Sequence, residues 1–160
     1  MSQLPDLVRL EDCNGDWQKY EDALYTFFRA DFVDSVPRLR GLKVVLGRQN
    51  LFKGKERIFW HIISEGDIEA DRLPNLRRSE RIRWIRCIIE NASDADVKVW
   101  ENQRGRDTRV CLCCGDWEYL IVLIKRPTHL LLLTAYPIEH DSTKRKLQKE
   151  YDEYTAKPAQ

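Results

Sequence analysis

The sequence predicts an α+β fold, with N-terminal helices packed on an antiparallel sheet of about four to six strands. Three observations carry that expectation. Apolar residues recur at helical spacing between Asp16 and Phe32. A second helical pattern runs from Pro74 to Asn91. Four short β-like runs then follow between Val97 and Tyr136, separated by turn residues. Helix, strands, helix and then a run of strands is not the alternation that builds a parallel α/β sheet.

The elements follow in order. Residues 1–15 read as irregular. Asp16 is a suitable N-cap for a helix whose apolar face is Trp17, Tyr20, Leu24, Phe27 and Phe28. Pro37 and Gly41 punctuate a loop. Leu42–Leu46 and Arg57–Ile63 read as strands flanking a turn at Lys53–Lys55. The second is apolar on both faces, with Ile58, Trp60 and Ile62 on one and Phe59, His61 and Ile63 on the other, so it is expected to be covered on both sides. In the Pro74–Asn91 helix, Ile82, Ile85 and Ile89 form one stripe. Arg78 falls on that stripe and Arg86 beside it, whereas Arg77, Arg81 and Trp84 occupy a neighbouring face. The runs Val97–Trp100, Arg109–Cys113, Trp117–Lys125 and His129–Tyr136, with turns at Gly105, Gly115–Asp116 and Arg126–Thr128, predict an antiparallel meander. Of the 160 residues, 1–140 are expected to form a single domain and 141–160 a charged helix or tail, DSTKRKLQKEYDEY at its start.

Composition excludes several classes. The net charge is +1 from 27 basic and 26 acidic residues, so any nucleic-acid footprint must come from local clustering. No stretch approaches the roughly 20 apolar residues of a membrane span. The N-terminus MSQLPDLVRLED lacks a signal-peptide layout, and a cytoplasmic location is the default expectation. The 5 cysteines are an odd set, expected as reduced, partly buried thiols. Cys111, Cys113 and Cys114 invite a zinc reading, but neighbouring strand residues face opposite ways and His129 has no ligand-spaced partner. No Walker loop, GxGxxG or HExxH occurs. Neither a metal nor another cofactor is expected.

Candidate chemistry rests on a few side chains. His61, in FWHIISEG, has Glu65 four positions on. An imidazole beside a carboxylate can serve as general acid or base, although a satisfied structural histidine would look the same. Arg78 on a core-facing stripe is expensive unless paired or opening into a polar cleft, where a guanidinium suits a phosphate. The other arginines, Arg77 and Arg83 among them, fit a solvated face with Glu80 and Glu90 as partners. Thr134 and Tyr136 share a strand face and can converge on one ligand, while both are also ordinary strand formers. Lys125 and Arg126 add charge near the preceding hairpin. Trp60, Trp84, Trp100 and Trp117 read as core rather than as stacking platforms for bases.

The segments FWHIISEG, NLRRSERIRWIRCIIEN and EYLIVLIKRPTHLLLLTAYPIE, within residues 40–140, together resemble phage- and prophage-associated members of the barnase–EndoU–colicin–RelE nuclease superfamily. The resemblance implies helices on a curved antiparallel sheet. It also implies metal-independent RNA cleavage, in which the 2′-hydroxyl attacks the adjacent phosphorus to leave a cyclic phosphate. His61 would be the general acid or base and Arg78 would hold the phosphate. Thr134 and Tyr136 would position the phosphate or the 2′-hydroxyl, with Glu65, Arg81 and Lys125 supporting substrate binding. A second catalytic histidine is not evident, His129 being the one candidate. Such proteins often act as toxins, so RNA and a cognate inhibitor protein are the expected partners. A non-catalytic RNA- or protein-binding module is the alternative.

Overall fold

The computed structural model describes residues 3–68 and 71–157; the last three positions of the predicted tail lie outside the described residues. In chain order the elements are α1 (Trp17–Phe32), β1 (Arg38–Leu39), β2 (Leu42–Val45), β3 (Leu51–Phe52), β4 (Lys55–Glu56), α2 (Arg57–Ile63), β5 (Ser64–Glu65) and β6 (Leu73–Pro74). There follow α3 (Leu76–Glu80), α4 (Trp84–Glu90), β7 (Val97–Arg104), β8 (Asp107–Cys114), β9 (Tyr119–Lys125), β10 (Leu130–Pro137) and α5 (Asp141–Ala156). The fold is α+β, with the helical front on a curled six-stranded sheet, a half-barrel.

Helix α1 begins where expected. The Asp16 carboxylate accepts a hydrogen bond from the Lys19 backbone N–H at 3.1 Å, satisfying one of the free donors of the first turn. Tyr20, Leu24, Phe28 and Phe32, each four residues from the last, are buried on one face.

Two predicted elements differ. Residues Arg57–Ile63 form helix α2 rather than a strand. The buried residues are Ile58, Phe59, Ile62 and Ile63, adjacent pairs one turn apart, with Trp60 and His61 between them on the more open side. A short run that is apolar on both strand faces has this helical reading too, and periodicity alone cannot separate the two. The Pro74–Asn91 pattern is likewise two helices, because the backbone at Arg81 leaves the helical region (φ −102°, ψ 15°). Asn75 caps α3 by accepting from the Arg78 N–H at 2.9 Å. Ile82, Ile85, Ile88 and Ile89 are buried, and Arg78, on the other side of the break, is half-buried.

The sheet has the order β1-β2-β10-β9-β8-β7. Strands β7 to β10 form the expected antiparallel meander. Strand β2 joins β10 in parallel through Val44 opposite Leu130 and Val45 opposite Leu131 only. A bulge follows between Leu132 and Thr134. Beyond it, the β10 edge facing away from β9 has no strand partner among the described residues, and α2 and α3 pack there instead.

Both sheet faces are covered. The inner face, with Leu112, Ile121 and Leu123, packs on Phe28, Phe59 and Ile85 of the front helices. The outer face carries Trp100, Cys111, Cys113, Leu120 and Val122, under Leu147 and Tyr151 of α5. The charged C-terminal segment is thus a docked amphipathic helix, its Tyr151 ring edge-on to Trp100 and Trp117 at 5.7 and 5.8 Å. No helix among the described residues is long and apolar enough to cross a membrane.

All five cysteines are free thiols. Cys113 and Cys114 point to opposite faces, and burial pushes Cys111 and Cys113 up to about 12 and Cys114 to about 11. At neutral pH these three are neutral and sealed from reagents. An Ellman titration of the native protein is expected to find at most Cys13 and Cys87 reacting quickly, and all five only in denaturant. Because the folded values lie above the ordinary 9.0, the folded state holds these protons more tightly than the unfolded chain does. Their contribution is therefore complete below about pH 9 and is lost as pH rises toward 11–12.

Candidate functional site

The site begins with how α2 is held. Its C-terminal carbonyls are short of intrahelical donors, and two arginines supply them. Arg72 donates through Nη2 to the carbonyl oxygens of His61 (3.0 Å) and Ser64 (2.5 Å), through Nε to Ser64 Oγ (3.0 Å), and through Nη1 to the Gly66 carbonyl (2.6 Å). Arg78 Nη1 donates to the Ser64 carbonyl at 2.9 Å and more weakly to that of His61 at 3.5 Å. Positive charge at a helix C-terminus also suits the dipole. The turn passes so close that a Cβ on Gly66, at φ 132°, would sit 3.3 Å from Arg72 Cα, so this position requires glycine.

With its C-terminus fixed, α2 lies along the unpaired edge of β10 and His61 reaches over it. Its Nε2 is 2.9 Å from Thr134 Oγ1, in a hydrogen bond whose donor depends on the imidazole tautomer. Because the bulge falls just before Thr134, that residue and Tyr136 stand opposite Val122 and Leu120 on the outer face. The Arg78 guanidinium carbon lies 5.2 Å from the centroid of the Tyr136 ring. Burial raises the Tyr136 phenol above its ordinary pKa, and the Arg78 charge pulls it back in part.

Two hollows adjoin these residues. A cavity of about 610 Å³ is lined by His61 together with Lys53, Arg57, Arg72 and the rings of Trp17, Phe52 and Trp60. Cations and rings interleave there. Lys53 Nζ is 5.4 Å from the Phe52 ring and 6.0 Å from Trp60, and the Arg57 guanidinium is 5.8 Å from Phe52. The hairpin turn Lys53–Gly54, with φ of 51° and 78°, is the left-handed two-residue turn that holds Lys53 against these rings. A smaller recess of about 140 Å³ lies beside Glu65, Arg78 and Tyr136.

Of the residues singled out from sequence, His61 meets Thr134, while Arg78, Tyr136 and Glu65 gather around the smaller recess. Two stand elsewhere. Arg81 donates to the Arg77 carbonyl at 3.0 Å and stacks over Trp84 at 5.1 Å, lining a separate cleft near the start of α5. Lys125 pairs with Glu101 at 3.5 Å, at the end of β9 remote from Tyr136: Lys125 is opposite Leu130, and Leu120 opposite Tyr136. Lys53, Arg57, Arg72, Phe52 and Trp60 were not read as site residues. The signal for most of them was the basic cluster Lys53, Lys55 and Arg57 set between Phe52 and Phe59–Trp60, a composition suited to stacking bases and neutralising phosphates. Arg72 gave no comparable sign.

Among the described residues, no group of three or more histidine, cysteine, aspartate and glutamate side chains could hold a metal ion. Comparison with protein-family models, with curated proteins and with solved structures finds no match to this chain.

Proposed function

We propose that this protein is an endoribonuclease acting on unpaired RNA by 2′-hydroxyl attack, with His61 moving the proton. The observation that carries the reading is the setting of His61. It is tied to Thr134 at 2.9 Å and lines a cavity that also presents Lys53, Arg57, Arg72 and the rings of Trp17, Phe52 and Trp60, with the Glu21 carboxylate on its wall as well. A base stacked on Trp60 or Phe52 would bring its backbone phosphates toward Lys53 and Arg57. The chemistry asks for little else. The 2′-oxygen bonds to phosphorus as the bond to the 5′-oxygen breaks; a base takes the 2′-hydroxyl proton and an acid protonates the departing oxygen. Thr134 orients the imidazole for one of these transfers. The RNA partner, a toxin role, an inhibitor protein and a cytoplasmic setting all belong to this reading.

One observation favours a non-catalytic RNA-holding module instead. The Arg78 guanidinium, expected at the phosphate, is engaged by main-chain carbonyls and the Tyr136 ring. One experiment separates the readings. Purified protein incubated with single-stranded RNA and a chelator is expected to yield fragments ending in cyclic phosphate and beginning in 5′-hydroxyl. Salt-sensitive retention of intact RNA is the outcome that would favour the binder.

A further inference from the structure

Several basic side chains at the outer face have an acceptor. Arg104 pairs with Glu150 at 3.2 Å, Arg126 with Asp107 at 3.1 Å and Lys125 with Glu101 at 3.5 Å. Arg109, on β8 in their midst, differs from them: its guanidinium has no hydrogen bond or ion pair among the described residues. Its Nε is fully buried and unpartnered, although the residue as a whole is only half-buried. Directly across the ladder from Arg109 is Asn102, whose Oδ1 is also buried without a partner while its Nδ2 donates to Glu150 at 2.7 Å. The neighbouring carboxylates Glu150, Glu101 and Asp107 are thus paired with other cations, and none of them is bonded to Arg109. A buried donor without an acceptor costs about 1–3 kcal/mol, more when charged. The terminal nitrogens of the same guanidinium also have no acceptor among the described residues, and they are where a ligand can supply one.

Register places it. Arg109 and Cys111 stand opposite Ile124 and Val122 on β9, and Val122 stands opposite Thr134 on β10. Arg109 therefore shares the outer face with Thr134 and Tyr136, and its charge is near enough to act on the Tyr136 phenol. The face lies between α5, which packs on β7, and the edge over which His61 reaches.

We propose that Arg109 is an anion-binding residue that receives a backbone phosphate of RNA on the outer face of the sheet, the face that also carries Thr134 and Tyr136. The identity of that anion rests on the nuclease reading, and Arg109 takes the part that sequence assigned to Arg78. A guanidinium whose Nε is sealed in the sheet is held in place, with its terminal nitrogens free to form a two-pronged contact with phosphate.

The test compares wild type with Arg109→Met and Arg109→Gln, using an RNA oligonucleotide carrying 2′-O-methyl groups throughout, which cannot be cleaved by this chemistry. The variants are expected to bind about tenfold more weakly and to lose about one phosphate contact from the salt dependence of binding. Without ligand they are expected to melt at or near the wild-type temperature, because Arg109 makes no hydrogen bond or ion pair among the described residues that the substitution would remove. Equal affinity and an equal salt slope would overturn the proposal. So would a fall of several degrees in the melting temperature of both variants, which would make Arg109 a structural residue. Weakened binding by the variants, when the wild type leaves unmodified RNA intact, would uphold the anion site and sink the nuclease reading. Cleavage by wild type and variants alike, with unchanged binding, would do the reverse.

Discussion

Replacing His61 by glutamine is expected to reduce RNA cleavage by about 10²–10⁴-fold, the usual share of a general acid or base, and to leave affinity for a 2′-O-methyl oligonucleotide nearly unchanged. Glutamine can keep a hydrogen bond to Thr134 but cannot exchange a proton near neutrality. The fold around it should survive, because Arg72 and Arg78 bind the His61 main-chain carbonyl and not its side chain. Single-turnover rates measured across roughly pH 5–8, where an imidazole titrates, provide the check. The wild type is expected to show an inflection in that range and the variant none. Cleavage by the variant at the wild-type rate would remove His61 from the chemistry and leave it as a structural link between α2 and β10.

The largest effect on stability is expected at Phe28. This ring is fully buried, 6.1 Å from Tyr25, 5.7 Å from Phe32 and 5.5 Å from Phe59. Phe28→Ala removes a large apolar volume from between α1, which also carries Tyr25 and Phe32, and α2, which carries Phe59. A cost of about 3–5 kcal/mol is expected, a large part of the roughly 5–15 kcal/mol that holds a typical domain folded. Urea denaturation measures it, and Phe28→Leu, which keeps more of the volume, should lose less. A loss below about 1 kcal/mol would mean that α1 is not the support of α2 described above. The two predictions are linked, since Phe59 sits on the helix that carries His61. Loosening the Phe28–Phe59 contact should lower activity even in molecules that remain folded.

How far the sequence could be read depended on how local the deciding physics was. Asp16 and the apolar residues four apart after it act within one helix, and α1 was legible from them. The meander was legible for the same reason, since Gly105 and Gly115–Asp116 set its turns. Helix α2 was not, because seven residues with apolar side chains at Ile58, Phe59, Ile62 and Ile63 satisfy both periods. Only packing against Phe28 on one side and the β10 edge on the other decides between them. The contact of His61 with Thr134 spans 73 positions and depends on where β2 stops pairing. Arg78 was noticed for a sound reason, an arginine aimed inward, but its acceptors are carbonyls at the end of a helix that sequence had read as a strand. Arg109 gave no local sign, because whether an arginine is paired depends on the strands beside it.

The parallel pairing of β2 with β10 has a consequence for when the molecule becomes competent. A nascent chain leaves the ribosome from its N-terminus, so the segment bearing His61 emerges before the strand bearing Thr134 has been synthesised. Until residues 130–137 emerge, Val44 and Val45 lack their partners and the imidazole has no hydroxyl to meet. The pairing of His61 with Thr134 is therefore completed only when nearly the whole chain has been made.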